Sequence, residues 1–165
     1  MQDVSTKKLV LAAVLTAIAV VGSFLSFPIL GSKCAPVQHM VNVFCAVLLG
    51  RWYGVGAAFT ASLLRNLLGL GSILAFPGSM CGALLCGIVY SYTKNIYATV
   101  LAEALGTGII GGLLAYPFAI WFLGQTAGDV AFYAYVVPFL ISTVCGSILA
   151  GLVVKRFKKY LNLEE

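Results

Sequence analysis

The chain has 165 residues, of which 61% are hydrophobic and only 9% are charged, and its formal net charge is +5. Soluble domains carry about a quarter charged residues, so this composition excludes a water-soluble fold and indicates an integral membrane protein. The basic residues lie at the ends of apolar stretches and form no basic face interleaved with aromatic rings, which excludes a nucleic-acid-binding protein. The length accommodates about six spans of roughly 20 residues and no separate catalytic domain.

Taken in chain order, the apolar stretches predict an all-α bundle of six transmembrane helices that forms a single domain over residues 1–165. The predicted spans cover residues 8–27, 36–49, 55–68, 79–92, 96–123 and 132–154. Prolines and glycines predict a loop from Pro28 to Val37, a short turn from Gly50 to Gly54 and a longer loop from Gly69 to Gly78. Spans 2 and 3 are short for a bilayer, so we expect tilt or local thinning there. Pro117 lies inside span 5 and should kink it.

The placement of basic residues predicts the orientation of the bundle. Eight of them fall together if the N-terminus is cytoplasmic: Lys7, Lys8, Arg51, Lys94, Lys155, Arg156, Lys158 and Lys159. Lys33 alone lies in an outer loop, and Arg65 is near the outer end of span 3. Because loops rich in lysine and arginine stay in the cytoplasm, we expect a multi-pass cell-membrane protein with both termini cytoplasmic.

Three groups of polar residues interrupt the apolar spans. The first is Lys33, Gln38, His39 and Asn42, the second is Arg65 and Asn66, and the third is Glu103 with Thr107. Polar groups at membrane depth are costly unless they are paired or face a cavity. The first two groups fall toward the outer side and, with the loop before Ser79, predict a ligand pocket that is open to the outside.

The predicted pocket residues are Gln38, His39, Asn42, Arg65, Asn66, Ser79 and Tyr116. The amides, His39 and Ser79 are expected to hydrogen-bond a small heterocycle, and Tyr116 to stack on it. For each amide taken alone, a simple hydrogen bond between helices is an equally weighted alternative. His39 can also be a structural hydrogen-bond partner, and Arg65 can reach the outer interface or order the loop.

Glu103 is expected to act apart from this pocket. It lies about 10 Å from the inner end of span 5, which places it nearer the cytoplasmic half. We therefore predict a structural or coupling role for Glu103 rather than contact with the ligand.

Small residues and cysteines complete the sequence signals. Ala13 and Ala17 are four residues apart on span 1, a spacing that allows close approach of another helix, either a partner or a neighbour in the bundle.

The five cysteines form no Cys-x-x-Cys pair and the chain has one histidine, so no metal site and no cofactor is predicted. No pairing of a nucleophile with a base is evident either, so no catalytic residue is predicted.

Several segments resemble the ThiW family of substrate-binding S components of energy-coupling factor (ECF) transporters. They are residues 33–39 (KCAPVQH), 62–69 (SLLRNLLG), 75–80 (AFPGSM), 106–112 (GTGIIGG) and 115–117 (AYP). The resemblance extends over nearly the whole chain and includes the alanine pair of span 1.

This resemblance implies capture of hydroxyethylthiazole, a thiamine precursor, from outside the cell. It also implies partners, namely a transmembrane T component, contacted through Ala13 and Ala17, and two cytoplasmic ATPases. The lack of a phosphate-binding Gly-x-x-x-x-Gly-Lys motif in this chain agrees with that division of labour. Two alternatives stay open, an S component for thiamine or another vitamin and a small membrane-embedded enzyme that uses His39 or Glu103.

Overall fold

A computed structural model describes residues 2–29, 32–126 and 128–157 of the chain. Six helices occupy these ranges: α1 (Gln2–Val21), α2 (Pro36–Leu48), α3 (Arg51–Leu67), α4 (Ala75–Thr93), α5 (Ile96–Leu123) and α6 (Val136–Phe157). Four segments are long and apolar enough to cross a membrane, namely Thr6–Leu25, α4, α5 and α6. The prediction of a helical membrane bundle is thus confirmed, with α2 and α3 short at 13 and 17 residues.

The predicted loop between the first two helices contains regular structure. After α1, a 3₁₀ turn (Gly22–Leu25) leads into strand β1 (Phe27–Ile29), which pairs with strand β2 (Ser32–Cys34) in an antiparallel hairpin. Pro28 lies opposite Lys33 in this register. Two three-residue strands are too short for alternating hydrophobicity to show, so the sequence predicted only a loop.

Four helix starts differ from the predicted spans. Helix α1 begins at Gln2, before residue 8; α3 and α4 begin earlier because glycines and prolines were interpreted as breakers; and α6 begins later because the apolar residues 132–135 form turns. Helix α4 starts at Ala75 rather than at residue 79, with Pro77 in its first turn, where a backbone N–H has no partner within the helix. Helix α6 starts at Val136 rather than at residue 132, with Pro138 placed in the same way. Helix α3 starts at Arg51 rather than at residue 55, directly after Gly50, whose φ of +91° favours glycine.

Helix α5 changes its winding in the middle. Residues Ala104–Gly111 form a π-helical segment between two α-helical parts, and Pro117 lies in the second part. The sequence predicted irregularity only at Pro117. The wider winding begins directly after Glu103 and contains Thr107, and such segments are frequent at functional sites.

The helices alternate in direction, so the connections divide between two ends of the bundle. The hairpin end comprises strands β1 and β2, residues 68–74, residues 124–126 and residues 128–135. The basic end comprises the turns at residues 49–50 and 94–95, the start of α1 and the end of α6. Six basic residues lie at or near the basic end: Lys7, Lys8, Arg51, Lys94, Lys155 and Arg156. The predicted cytoplasmic residues Lys158 and Lys159 lie outside the described residues.

Helices α4 and α5 touch through glycines. A Cβ atom added to Gly106 would lie 2.9 Å from the Cys81 carbonyl oxygen, and one added to Gly111 would lie 2.5 Å from Cα of Gly78. No real Cβ makes such contacts with a backbone, so neither position accepts a side chain without moving a helix. Close approach of backbones through small residues is the usual basis of helix packing in membranes.

We predict that Gly111→Ala destabilises the bundle by about 1–3 kcal/mol, because the new methyl group overlaps the backbone of α4. Thermal unfolding of the purified protein in detergent measures the effect. Gly56→Ala is the matched control, since nothing lies within 4 Å of its added Cβ, and its midpoint should be unchanged or slightly higher. Equal midpoints for Gly111→Ala and the wild type would contradict the glycine contact.

Candidate functional site

The carboxylate of Glu103 lies at the centre of a buried polar cluster that joins α2 to α5. Its Oε1 atom accepts hydrogen bonds from Asn42 Nδ2 at 3.0 Å and from Thr107 Oγ1 at 2.9 Å. His39 Nδ1 lies 3.1 Å from the same oxygen. Glu103 is 0% exposed, so these groups replace the water that would otherwise solvate its charge.

Gly82 of α4 makes room for this carboxylate. A Cβ atom at Gly82 would lie 2.5 Å from Oε2 and 2.7 Å from Oε1 of Glu103, and it would overlap the Thr107 hydroxyl. Any side chain at this position would displace the carboxylate. The Oε2 atom has no hydrogen-bond partner within the part of the chain that the structure describes.

A chain of hydrogen bonds connects this cluster to α3 and α4. Asn42 Nδ2 also donates to the carbonyl oxygen of Ser79 at 3.1 Å. The Ser79 hydroxyl donates to the Ala75 carbonyl oxygen at 2.8 Å, and its oxygen lies 2.9 Å from the Ser62 hydroxyl. Since Ser79 has one proton to donate, Ser62 must be the donor of the second bond.

Arg65 reaches the same region from α3. Its Nη1 atom donates to Gln38 Oε1 at 2.9 Å, and its side chain is almost completely buried, with 3% of the residue exposed. The Nε atom has no hydrogen-bond partner among the described residues. In the same residues, no carboxylate oxygen lies within 4.0 Å of the guanidinium.

These side chains surround a cavity of about 30 Å³ at the hairpin end of the bundle. Four of the predicted site residues line it, namely Gln38, His39, Arg65 and Ser79. The remaining lining residues lie in or next to the hairpin, in the connection between α3 and α4, and in helices α4, α5 and α6. They are Lys33, Ala35, Ser72, Leu74, Ala75, Gly78, Thr107, Phe139 and Ser142.

The other three predicted site residues lie outside the described lining. Asn42 is behind the wall, in the Glu103 cluster. Asn66 Nδ2 donates to the carbonyl oxygens of Ser62 and Ser72, at 2.8 and 3.1 Å, and thereby fixes the connection between α3 and α4. Tyr116 is partly buried and does not line the cavity, where Phe139 supplies the aromatic ring.

The prediction that Glu103 lies apart from the pocket residues is wrong about the position of this side chain. The structure brings Glu103 and Thr107 into direct contact with His39 and Asn42. The sequence contained a usable signal, because a buried carboxylate needs donors and His39 and Asn42 are among the few donors within the apolar spans. No sequence signal singled out Ser62, Phe139 or Ser142, since serine and phenylalanine are ordinary in membrane helices.

Ala13 and Ala17 lie on a different surface. Both are exposed on α1 and line an apolar groove of about 600 Å³ between α1 and α3. Trp52, Gly56 and Thr60 contribute to its opposite wall. The alanine pair is therefore exposed in the groove and not buried within the described part of the bundle.

Comparison with known proteins identifies the family. The profile of the thiamine-precursor transporter protein family (ThiW) matches residues 9–160, which is most of the chain. The biotin transporter BioY of Thermotoga maritima is 29% identical over 174 aligned residues, covering 93% of this chain and 96% of that protein. No solved structure matches at a significant level.

Both relatives are transporter S components rather than enzymes, which removes the membrane-enzyme alternative. S components of ECF transporters bind a small-molecule substrate and pair with T and ATPase subunits. The buried polar cavity and the apolar helices agree with a multi-pass membrane protein of this kind. The chain therefore belongs to the ThiW family of thiamine-precursor transporter proteins.

Proposed function

We propose that this protein captures the thiamine precursor hydroxyethylthiazole in the cavity at the hairpin end and delivers it for ATP-driven uptake. The observation that carries the proposal is the cavity itself, because Gln38, His39 and Ser79 present polar groups there in a chain of the thiamine-precursor family. A thiazole offers a ring nitrogen that accepts a hydrogen bond and a hydroxyl that donates and accepts. Phe139 offers an apolar wall for the ring.

The remaining predicted site residues act in this proposal through their neighbours. Asn42 holds Ser79 and Glu103 in place, and Asn66 fixes the connection that contributes Ser72 to the cavity wall. Glu103 sets the orientation of His39, since a proton on Nδ1 that points at the carboxylate leaves Nε2 for the ligand. Tyr116 is not part of the wall, so stacking is assigned to Phe139.

Ligand entry requires the hairpin end to open. A cavity of about 30 Å³ accommodates little more than water, whereas ligand pockets usually measure about 300–1,000 Å³. Lys33 Nζ donates to the Gly69 carbonyl oxygen at 3.3 Å and joins the hairpin to the connection between α3 and α4. Separation of these two segments, which breaks this contact, is the movement that we propose admits the heterocycle.

We propose further that the basic end faces the cytoplasm and the hairpin end faces outside. The support is the concentration of lysine and arginine at the basic end, which retains such loops on the cytoplasmic side. The apolar groove with Ala13 and Ala17 then receives a helix of the T component, and two ATPase subunits drive the cycle.

One second candidate substrate has a specific observation in its favour. The similarity to a biotin transporter extends over 93% of the chain, so biotin belongs in any binding test. Intact thiamine is disfavoured because Lys33 and Arg65, both at the cavity, would repel a cationic ligand. The Glu103 carboxylate lies behind the wall, beside His39, and does not line the cavity.

Calorimetry on the purified chain in detergent, with hydroxyethylthiazole, thiamine, the pyrimidine precursor and biotin, tests the substrate. We expect selective binding of the thiazole. Selective binding of biotin or thiamine would keep the S-component role and overturn the substrate, and the absence of binding by all four compounds would overturn the capture site.

Ser79→Ala should weaken thiazole binding roughly 3- to 10-fold, since a neutral hydrogen bond contributes about 0.5–1.5 kcal/mol. Ser91→Ala is the matched control, because Ser91 is an exposed serine on the same helix near the basic end and bonds only locally to the Ile88 carbonyl oxygen. The ratio of the two dissociation constants measures the effect. Equal affinities for the two variants would move the ligand away from Ser79.

Ala13→Trp with Ala17→Trp should abolish uptake in cells that contain the partner subunits and leave ligand binding by the purified chain unchanged. Two indole rings fill the groove that a partner helix needs but do not reach the cavity. Leu11→Trp is the control, since residue 11 is about 200° around the helix from Ala13 and should permit uptake. Normal uptake by the double variant would remove the groove as the partner surface.

A further inference from the structure

We propose that the cavity contains a subsite for an anionic group, so that the preferred ligand is a thiazole that carries a carboxylate or a phosphate ester. The proposal rests on the proposed function for the thiazole ring. The anionic group is argued separately, from the charges of the cavity and from the unmatched hydrogen-bond donors of Arg65.

Arg65 is the anchoring cation of this subsite. Its guanidinium is buried, lines the cavity and bonds only to the neutral oxygen of Gln38, with Nε unpartnered within the described residues. A buried charge with a neutral partner is costly, and the cost is higher at membrane depth. A neutral thiazole alcohol would leave this cost in place, whereas an anion would remove it.

The other charges around the cavity leave it positive. Lys33 lines the cavity and adds a second cation. His39 Nδ1 and Glu103 Oε1 lie 3.1 Å apart. An ionised Glu103 beside an uncharged imidazole gives the pair one negative charge, and one further proton on either group makes the pair neutral. Even when the pair is negative, one net positive charge remains. Asp129, the other acid toward the hairpin end, is exposed and bound to Thr126 at 2.6 Å.

The chemistry of the donors also fits an anion with several oxygens. A guanidinium presents a planar set of N–H groups that matches carboxylate and phosphate oxygens in pairs, and lysine does not reproduce this geometry. The hydroxyl-bearing residues Ser72 and Ser142 also line the cavity and can contribute O–H donors to further oxygens.

The test is calorimetry on the full chain in detergent with four probes. They are hydroxyethylthiazole, its phosphate ester, the thiazole acetic acid in which a carboxylate replaces the terminal alcohol carbon, and biotin. We expect at least one anionic thiazole to bind about 10-fold or more tightly than the alcohol, since charge-assisted hydrogen bonds are about twice as strong as neutral ones. The two anionic thiazoles distinguish a carboxylate subsite from a phosphate subsite.

Variants then assign the preference to the two cations. Arg65→Lys and Arg65→Gln should reduce the ratio of alcohol to anion dissociation constants toward one, and Arg51→Gln at the basic end should leave that ratio unchanged. Lys33→Gln, at an exposed position that should not affect folding, should reduce the ratio several-fold and keeps the test available if the Arg65 variants do not fold. Lys94→Gln is its control.

Each outcome decides a different part of the proposal. If the alcohol binds as tightly as both anions, the anionic subsite is overturned and thiazole capture stands. If only biotin binds, and Lys33→Gln or Arg65→Gln weakens it, the anionic subsite stands and the thiazole assignment fails. If none of the four compounds binds, both are overturned.

Discussion

The structure depends on the solvation of one carboxylate in an apolar bundle. Glu103 is fully buried, and Oε1 accepts from Asn42 and Thr107 and faces His39 Nδ1, so α2 and α5 cannot separate without exposing a charge to a medium that does not solvate it. The requirement extends to α4, since Gly82 must lack a side chain for the carboxylate to fit. It extends to the cavity as well, because the contact with Glu103 orients the imidazole of His39.

The two buried ionisable side chains near the cavity have different surroundings. Three polar side chains face Oε1 of Glu103, which does not line the cavity, although its Oε2 atom has no hydrogen-bond partner among the described residues. Arg65 has a single neutral acceptor and an unpartnered Nε atom. The Glu103 cluster joins helices of the bundle and serves as a scaffold, whereas the charge of Arg65, which lines the cavity, gains free energy when a ligand supplies the counter-charge. The scaffold and the recognition element are thus separate, although both are buried in the same bundle.

The sequence was sufficient to predict the helices, but the relative depth of residues on different helices was not predicted from it. Hydropathy located six helices because each must carry its own backbone hydrogen bonds through lipid. The prediction placed Asn42 toward the outer side of the short span 2 and Glu103 about 10 Å from the inner end of span 5, which separated two residues that are in contact. Helix α2 has only 13 residues, so Asn42 lies about 9 Å from its basic end and meets Glu103, which is about 10 Å from the basic end of α5.

The β-hairpin lies above the short helix α2, and it could not be predicted because two three-residue strands are too short for alternating hydrophobicity to show. Because α2 starts deep in the bundle, the hairpin and the residue after it occupy the space above its first turn. Cys34 and Ala35 are buried there, and Ala35 N donates to Ser142 Oγ at 2.8 Å. The contact of Lys33 Nζ with the Gly69 carbonyl oxygen holds the hairpin against the connection between α3 and α4. A helix is difficult to displace within a bundle because its whole length is packed, but a short hairpin can move without unpacking α2. The short second helix therefore brings His39 and Asn42 to the depth of Glu103 and leaves the cavity beneath a hairpin rather than beneath a helix.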